Sequence, residues 1–374
     1  MGKNYNGKKL NKKKIIKITI VLFLIAFITV IGILYENNNE VKTFLDKYVF
    51  LKEKHENKLP QISITSANDI NTYAFKENIL ILNNNKLTAY NSNGNEEYSM
   101  DIEISNPIFK SAGDYLCIGE KNGKKIYVIL DKNIIWQKDL EGGICDITIN
   151  SNGYLAVAIT GSIYKTIVQT FDNKGEEQFK NFLSSTYVID MSISPNNKYL
   201  AIAEANFSGI IIQSNIKIVS TEKAEIVYNH TNIEGDLIVN IKYQSKDELT
   251  CVFDNHIEII KNEERSTVSD FSQEETLFAE LNNKIIKIIK KDSKIYLKVL
   301  TNAENVKEYE VLEPKEVCVS DSVVAINLGS EVLFYSNSGW LIKRYNATQE
   351  INEIVLSDNL AGIVYNDKIE IVSL

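Results

Sequence analysis

Two stretches of this chain, 44 residues apart, are near copies of each other: residues 146–158 read D-I-T-I-N-S-N-G-Y-L-A-V-A and residues 190–203 read D-M-S-I-S-P-N-N-K-Y-L-A-I-A. Repetition at that distance marks an array of β-sheet modules, each of which needs neighbours to bury its faces. Each copy reads as an alternating strand, a turn of Asn, Gly or Pro, and a second strand packed with small apolar residues. That is half of one propeller blade, so the expected fold class is all-β.

The half-blade can be followed around the chain by the polar residue that introduces each first strand. These are Asp69, Asn106, Asp146, Asp190, Asn240, Glu275, Glu316 and Glu353, at successive spacings of 37, 40, 44, 50, 35, 41 and 37 residues. A blade repeat occupies about 40 to 45 residues before loops are allowed to vary. Eight starts imply eight blades, with seven as the alternative because Asn240 and Glu275 mark the least regular copies. The last start leaves only residues 353–374, room for three short strands, and the alternating run Q-I-S-I-T-S at residues 61–66 is free to supply the fourth. Pairing the two ends in one blade closes the ring and removes exposed sheet edges.

Turn chemistry supports four strands per blade. N-S-N-G at 91–94, D-N-K-G at 172–175 and S-N-S-G at 336–339 place Asn and Gly where tight turns need positive φ. The spacing D-x-[DN]-x-[DN]-G with a closing Glu is missing, so calcium is not expected there. The run Y-V-I-L-D-K-N-I-I-W-Q-K-D-L-E-G-G at 127–143 resembles the repeat of quinoprotein-type propellers, and S-P-N-N-K-Y-L-A at 194–201 resembles the start of WD-repeat blades. The whole layout is similar to a family of single-span, membrane-anchored propellers from low-GC Gram-positive bacteria. The repeat tryptophan stands only at Trp136 and Trp340, and no adjacent Cys-Cys pair or WD dipeptide occurs. No quinone or other cofactor is therefore expected.

At the N-terminus, residues 18–35 run without a charge, and 13 of the 18 are Leu, Ile, Val or Phe. Extended to Ile15, a helix of this length is roughly 31 Å long, the thickness of a bilayer's hydrocarbon core, and its insertion is favourable by very roughly 4 to 8 kcal/mol. Seven lysines lie within residues 1–17 with no acid. The positive-inside rule then predicts a cytoplasmic tail over 1–17, a span over 18–35 and an extracytoplasmic propeller over 61–374, a single-pass protein of the cell membrane. No small-residue cleavage site follows, which favours an uncleaved anchor over a signal peptide. Between them, Val41, Phe44, Leu45, Tyr48 and Leu51 recur at helical spacing, predicting a partly helical stalk over 36–60.

Outside the tail the chain keeps 34 basic against 49 acidic residues, a net charge of −15, which argues against a nucleic-acid partner. Cys117, Cys145, Cys251 and Cys318 fall in or beside strands without C-x-x-C spacing and read as small buried hydrophobes; Cys117 and Cys145 are the first pair to test for a disulfide. His55, His230 and His256 are too scattered for a zinc site or a His-based triad, so no metal is expected.

The candidate site is the set of eight introducing residues. Innermost strands line a propeller's channel, so six carboxylates and two amides are expected at one mouth. Such side chains either bond neighbouring backbone amides or form a cation-binding or base-recognising mouth, because crowded carboxylates raise one another's pKa unless a positive partner arrives. The expected function is a non-catalytic scaffold of the bacterial cell envelope that binds a protein or glycan. The alternative is a carbohydrate-active enzyme using Asp146, Asp190 and Glu353.

Overall fold

The computed structural model describes Phe23, residues 29–32, Tyr35, Val41, and residues 59–270, 275–282, 284–300 and 306–374. Residues Leu59–Leu374 form one compact unit. The expected tail, 12 of the 18 residues of the expected span and nearly all of the expected stalk lie outside the described residues. Among those that are described, no helix is long and apolar enough to cross a membrane.

Eight four-stranded antiparallel sheets make up the unit, an eight-bladed β-propeller. Blades 1 to 7 each take four consecutive strands, and their inner strands are Asn71–Phe75, Pro107–Ala112, Ile144–Ile149, Tyr187–Ile193, Ile238–Tyr243, Glu275–Leu281 and Glu316–Val319. Blade 8 has its inner strand at Glu353–Leu356, and its outermost strand comes from the opposite end of the sequence. Gln61–Ser63 pairs with Lys368–Ser373 in the register Gln61 to Glu370, Ile62 to Ile369 and Ser63 to Lys368. The ends are sewn together further by Ile371 N to Pro60 O at 2.8 Å and Ile64 N to Asp367 O at 3.0 Å.

Eight apolar clusters fill the eight gaps between neighbouring blades, which settles the count against seven. The second strand of each blade shows why these sequences pack so. In Leu155–Thr160, Leu155, Val157 and Ile159 face blade 2, while Ala156 and Ala158 turn the other way and meet Leu200 and Ile202 of blade 4. Alternation sends successive side chains to opposite faces, and both faces are dry. Large residues on one side and alanines on the other let adjacent sheets approach; each buried Val, Leu or Ile contributes roughly 1.5 to 3 kcal/mol.

The Asn/Gly turns share one geometry. Asn150 Oδ1 accepts the backbone N–H groups of Asn152 and Tyr154 at 3.0 and 3.1 Å, and Gly153 follows at φ +80°. Asp172 holds Lys174 and Glu176 in the same way, both at 2.9 Å, ahead of Gly175 at φ +80°. The side-chain oxygen closes the loop that glycine alone enters without strain. A Cβ on Gly175 would also meet Trp136 of blade 2 at 2.7 Å, so this turn doubles as the seat of that indole. The four cysteines are free, Cys117 buried and Cys145 exposed, and the suggested pair is not a disulfide.

Candidate binding site in the central channel

Ladder register shows which residues stand at one height on the inner strands. Opposite equivalent positions of the second strands lie Asn71, Ile108, Asp146, Asp190, Asn240, Phe278, Glu316 and Glu353. Five of the eight introducing residues therefore share a level, and three do not. Asp69 sits in a 3-10 turn ahead of its strand, Asn106 just precedes its own, and Glu275 lies three residues before Phe278. For Glu275 the odd residue of that offset is a bulge at Leu277; the inner strands of blades 3, 4 and 5 carry bulges too, at Cys145, Ile189 and Val239, and each inserts a residue that strand alternation does not announce.

Most carboxylates at this level are tied to the next blade. Asp190 accepts Ile241 N of blade 5 at 2.8 Å through Oδ2 and its own neighbour Met191 N at 2.9 Å through Oδ1. Glu316 takes Ile354 N of blade 8 at 3.3 Å, and Glu353 takes the Thr72 hydroxyl of blade 1 at 2.5 Å. Ser192 repeats the device one step along, accepting Tyr243 N at 2.9 Å. These acids hold the inner ring together by bonding backbone and hydroxyl groups, as short polar side chains do at turns.

A second level, two residues further along the strands, carries charge that the introducing residues do not reveal. Lys110, Lys242 and Glu280 stand there, in blades 2, 5 and 6. Lys242 Nζ reaches Asn282 at 3.1 Å and, past blade 6, Asp321 of blade 7 at 3.5 Å. Lys110 has no hydrogen-bond or ion-pair partner among the described residues, yet its ammonium acts on Asp146, Asp190 and Glu280 from three other blades. Groups from opposite sides of the ring thus share one small space.

Electrostatics follow from that crowding. Burial pushes the Asp146 carboxyl up, against the pull of Lys110 and the Ile147 amide. Asp190 is pushed up to about 7, first by burial and further by the charge of Asp146, with Ile241 N–H and Lys110 opposing. Glu280 is raised by burial and drawn back by Lys110 and Lys242. Glu353 is raised by burial, drawn back by Thr72 and raised further by Glu316. Among the described residues no group of His, Cys, Asp and Glu is arranged to hold a metal ion.

Away from the channel, the packing of blades 4 and 5 gathers two histidines that are 26 residues apart in sequence. Arg265 Nη1 donates to His230 Nε2 at 2.7 Å across blades 4 and 5, and burial, with Arg265, pushes His230 down so that this nitrogen is an acceptor. His256 Nε2 lies 3.2 Å from the buried Glu258, which also faces Arg265 at 3.5 Å. This cluster clasps two outer strands together.

Residues 47–374 match the profile of a family described as Family of unknown function (DUF5711). The chain belongs to DUF5711. No curated protein sequence matches this DUF5711 chain. Among solved structures it is similar to BamB from Moraxella catarrhalis, with a TM-score of 0.52 at 12% identity over 84% of this chain and 98% of that one. Chaetomium thermophilum Sqt1, solved bound to the N-terminus of the ribosomal protein L10, gives 0.49 at 10% identity over 84% and 96%. The β-propeller domain of Myceliophteria thermophila Cps50 (Swd1) gives 0.46 at 11% over 84% and 99%. At such identity the likeness to BamB is one of fold alone, and it agrees with the propeller repeats read from the sequence.

Proposed function

We propose that this DUF5711 chain is a non-catalytic recognition propeller of the bacterial cell envelope. Residues 18–35 tether it to the cell membrane with the N-terminus in the cytoplasm, and it binds an envelope protein or glycan at its channel mouth. The observation that carries this reading is the ammonium of Lys110, which has no hydrogen-bond or ion-pair partner among the described residues and acts on Asp146, Asp190 and Glu280 across the channel. Asp190, Glu316 and Glu353 are occupied in holding the ring, while Lys110, Lys242 and Glu280 offer a mixed-charge lining for a polar partner. Groups locked onto backbone amides are poor candidates for moving protons in a reaction.

Residues 59–374 hold all eight sheets and both closing strands, so this domain can serve as bait for partners crosslinked from detergent-solubilised membranes. Capture by the wild-type domain and its loss in Lys110→Ala/Lys242→Ala/Glu280→Gln supports the channel. Equal capture by the triple variant refutes it. The raised carboxyls of Asp146, Asp190 and Glu353 favour a second reading, a glycoside hydrolase using channel-mouth carboxylates. Hydrolysis of wall-derived glycans that vanishes in Asp146→Ala would replace the first reading with this one.

A further inference from the structure

Large apolar side chains are not spread evenly over the blades. Among the described residues of the propeller, fourteen are exposed, and ten of them fall between Ile163 and Val239. Seven of those ten gather where the loops joining second and third strands in blades 3 and 4 stand side by side, on the face where the inner strands begin. The blade 4 loop reads N-F-S-G-I-I-I-Q at 206–213, and no charged residue occurs from 205 to 216. Ile210 at its tip is 105% exposed, and Ile163 on the neighbouring loop is 87% exposed.

Aromatic contacts join the two loops into one patch. Tyr164 and Phe182 lie 4.8 Å apart between ring centres, Lys165 Nζ meets the Tyr187 hydroxyl at 3.2 Å, and Tyr187 lies 6.0 Å from Phe207. The aliphatic tips therefore rise from a base of tyrosine and lysine. Contiguous exposed apolar surface of this kind marks an interaction site.

We infer that these two loop tips insert into the lipid bilayer. Side chains that stand clear of the surface to the extent of Ile163 and Ile210 form a convex apolar projection, and a fluid hydrocarbon layer accepts such a shape without a preformed groove. Tyrosine and lysine below an aliphatic tip are the residues that settle at the headgroup level.

The position also falls within reach, a point that rests on the membrane tether proposed above. The domain begins at the start of the outermost strand of blade 8, on the opposite face. Residues 36–58 can span about 76 Å when extended, against about 20 Å for the height of a six-residue strand. That length is enough for the two loop tips to touch the membrane.

Sedimentation of domain 59–374 with vesicles of phosphatidylcholine, with and without phosphatidylglycerol, tests insertion independently of the tether. The wild-type domain is expected to pellet with both to a similar extent, and Ile210→Ser/Ile211→Ser/Ile212→Ser to lose about tenfold in bound fraction, as befits an apolar term. A separate Ile211→Trp variant, which leaves the loop apolar, is expected to show blue-shifted emission on adding vesicles. Failure of the wild-type domain to pellet, equal pelleting of the triple variant, or unshifted Ile211→Trp emission overturns the inference. So does a dimer in ultracentrifugation that the triple variant abolishes, or a protein that masks the loop in place of lipid. Release of the full-length chain from membranes by alkaline carbonate would instead refute the tether and leave the vesicle result standing.

Discussion

Replacing Asp190 by Asn separates the two roles that an inner-ring carboxylate can have. The side chain holds Ile241 N and Met191 N through its two oxygens, and asparagine keeps only one oxygen, so one backbone N–H is left facing an NH2 group. Leaving a buried donor unsatisfied costs about 1 to 3 kcal/mol. Acting against that loss is the raised carboxyl, about 7 in the folded chain and about 3.9 when unfolded. Between those values the folded state holds a proton that the unfolded state has released. This group's stabilisation is therefore complete below the unfolded value and is lost as pH rises to the folded one. From about pH 5 to about pH 8 the loss amounts to roughly 2.5 kcal/mol. The Asn variant lacks this dependence, and contributions from distant carboxylates cancel in the comparison. Urea unfolding of domain 59–374 at both pH values should show the variant least stable relative to wild type at the acid end, with the gap shrinking by roughly 2.5 kcal/mol at the alkaline end. A gap that is constant, or that widens with pH, refutes the placement of a carboxyl raised toward neutrality in the ring.

Ile62 is 4% exposed in the closing strand, so Ile62→Ala should cost about 2 to 4 kcal/mol in urea unfolding, and Ile62→Asp should in addition produce aggregates by uncovering the edge of Lys368–Ser373. Melting curves that overlay wild type would show that the ends do not close the ring. Burial pushes the thiols of Cys117 and Cys251 up, while Cys145 is exposed. A thiol-specific disulfide reagent should modify Cys145 alone in the native protein and all four cysteines after denaturation, and rapid native labelling of Cys117 would contradict the packing between blades 2 and 3.

The ring of blades was legible because a propeller repeats its burial pattern: Leu155 to Ala158 and Leu200 to Ala203 solve one packing problem with nearly the same letters. The closing strand was legible by subtraction, since residues 353–374 supply three strands and a blade needs four. The lining of the channel was less so. Bulges at Cys145, Ile189, Val239 and Leu277 shift the register of four inner strands, and a bulge leaves no mark in hydropathy. The alignment thus anchored on Glu275 where Phe278 holds the equivalent height. Lys110 and Lys242 were hidden for a different reason. Each reads as the polar half of an alternating strand, the pattern of any solvated face, and only the circular arrangement turns that face inward. Counting two residues on from Ile108 and Asn240 would have found them. His230 and Arg265 meet because two outer strands lie side by side, a proximity that no spacing along one chain encodes.

The pairing of Gln61–Ser63 with Lys368–Ser373 also sets an order of events during biosynthesis. The first strand of the domain to emerge from the ribosome is the last to find its hydrogen-bonding partner, because that partner is made after every other strand of the ring. Until then every nascent propeller is an incomplete arc with two raw ends. A premature stop anywhere upstream of Lys368 leaves a product that cannot fasten itself, whereas a circular permutant opened between blades 2 and 3, with its native ends joined, would carry its seam as an ordinary hairpin.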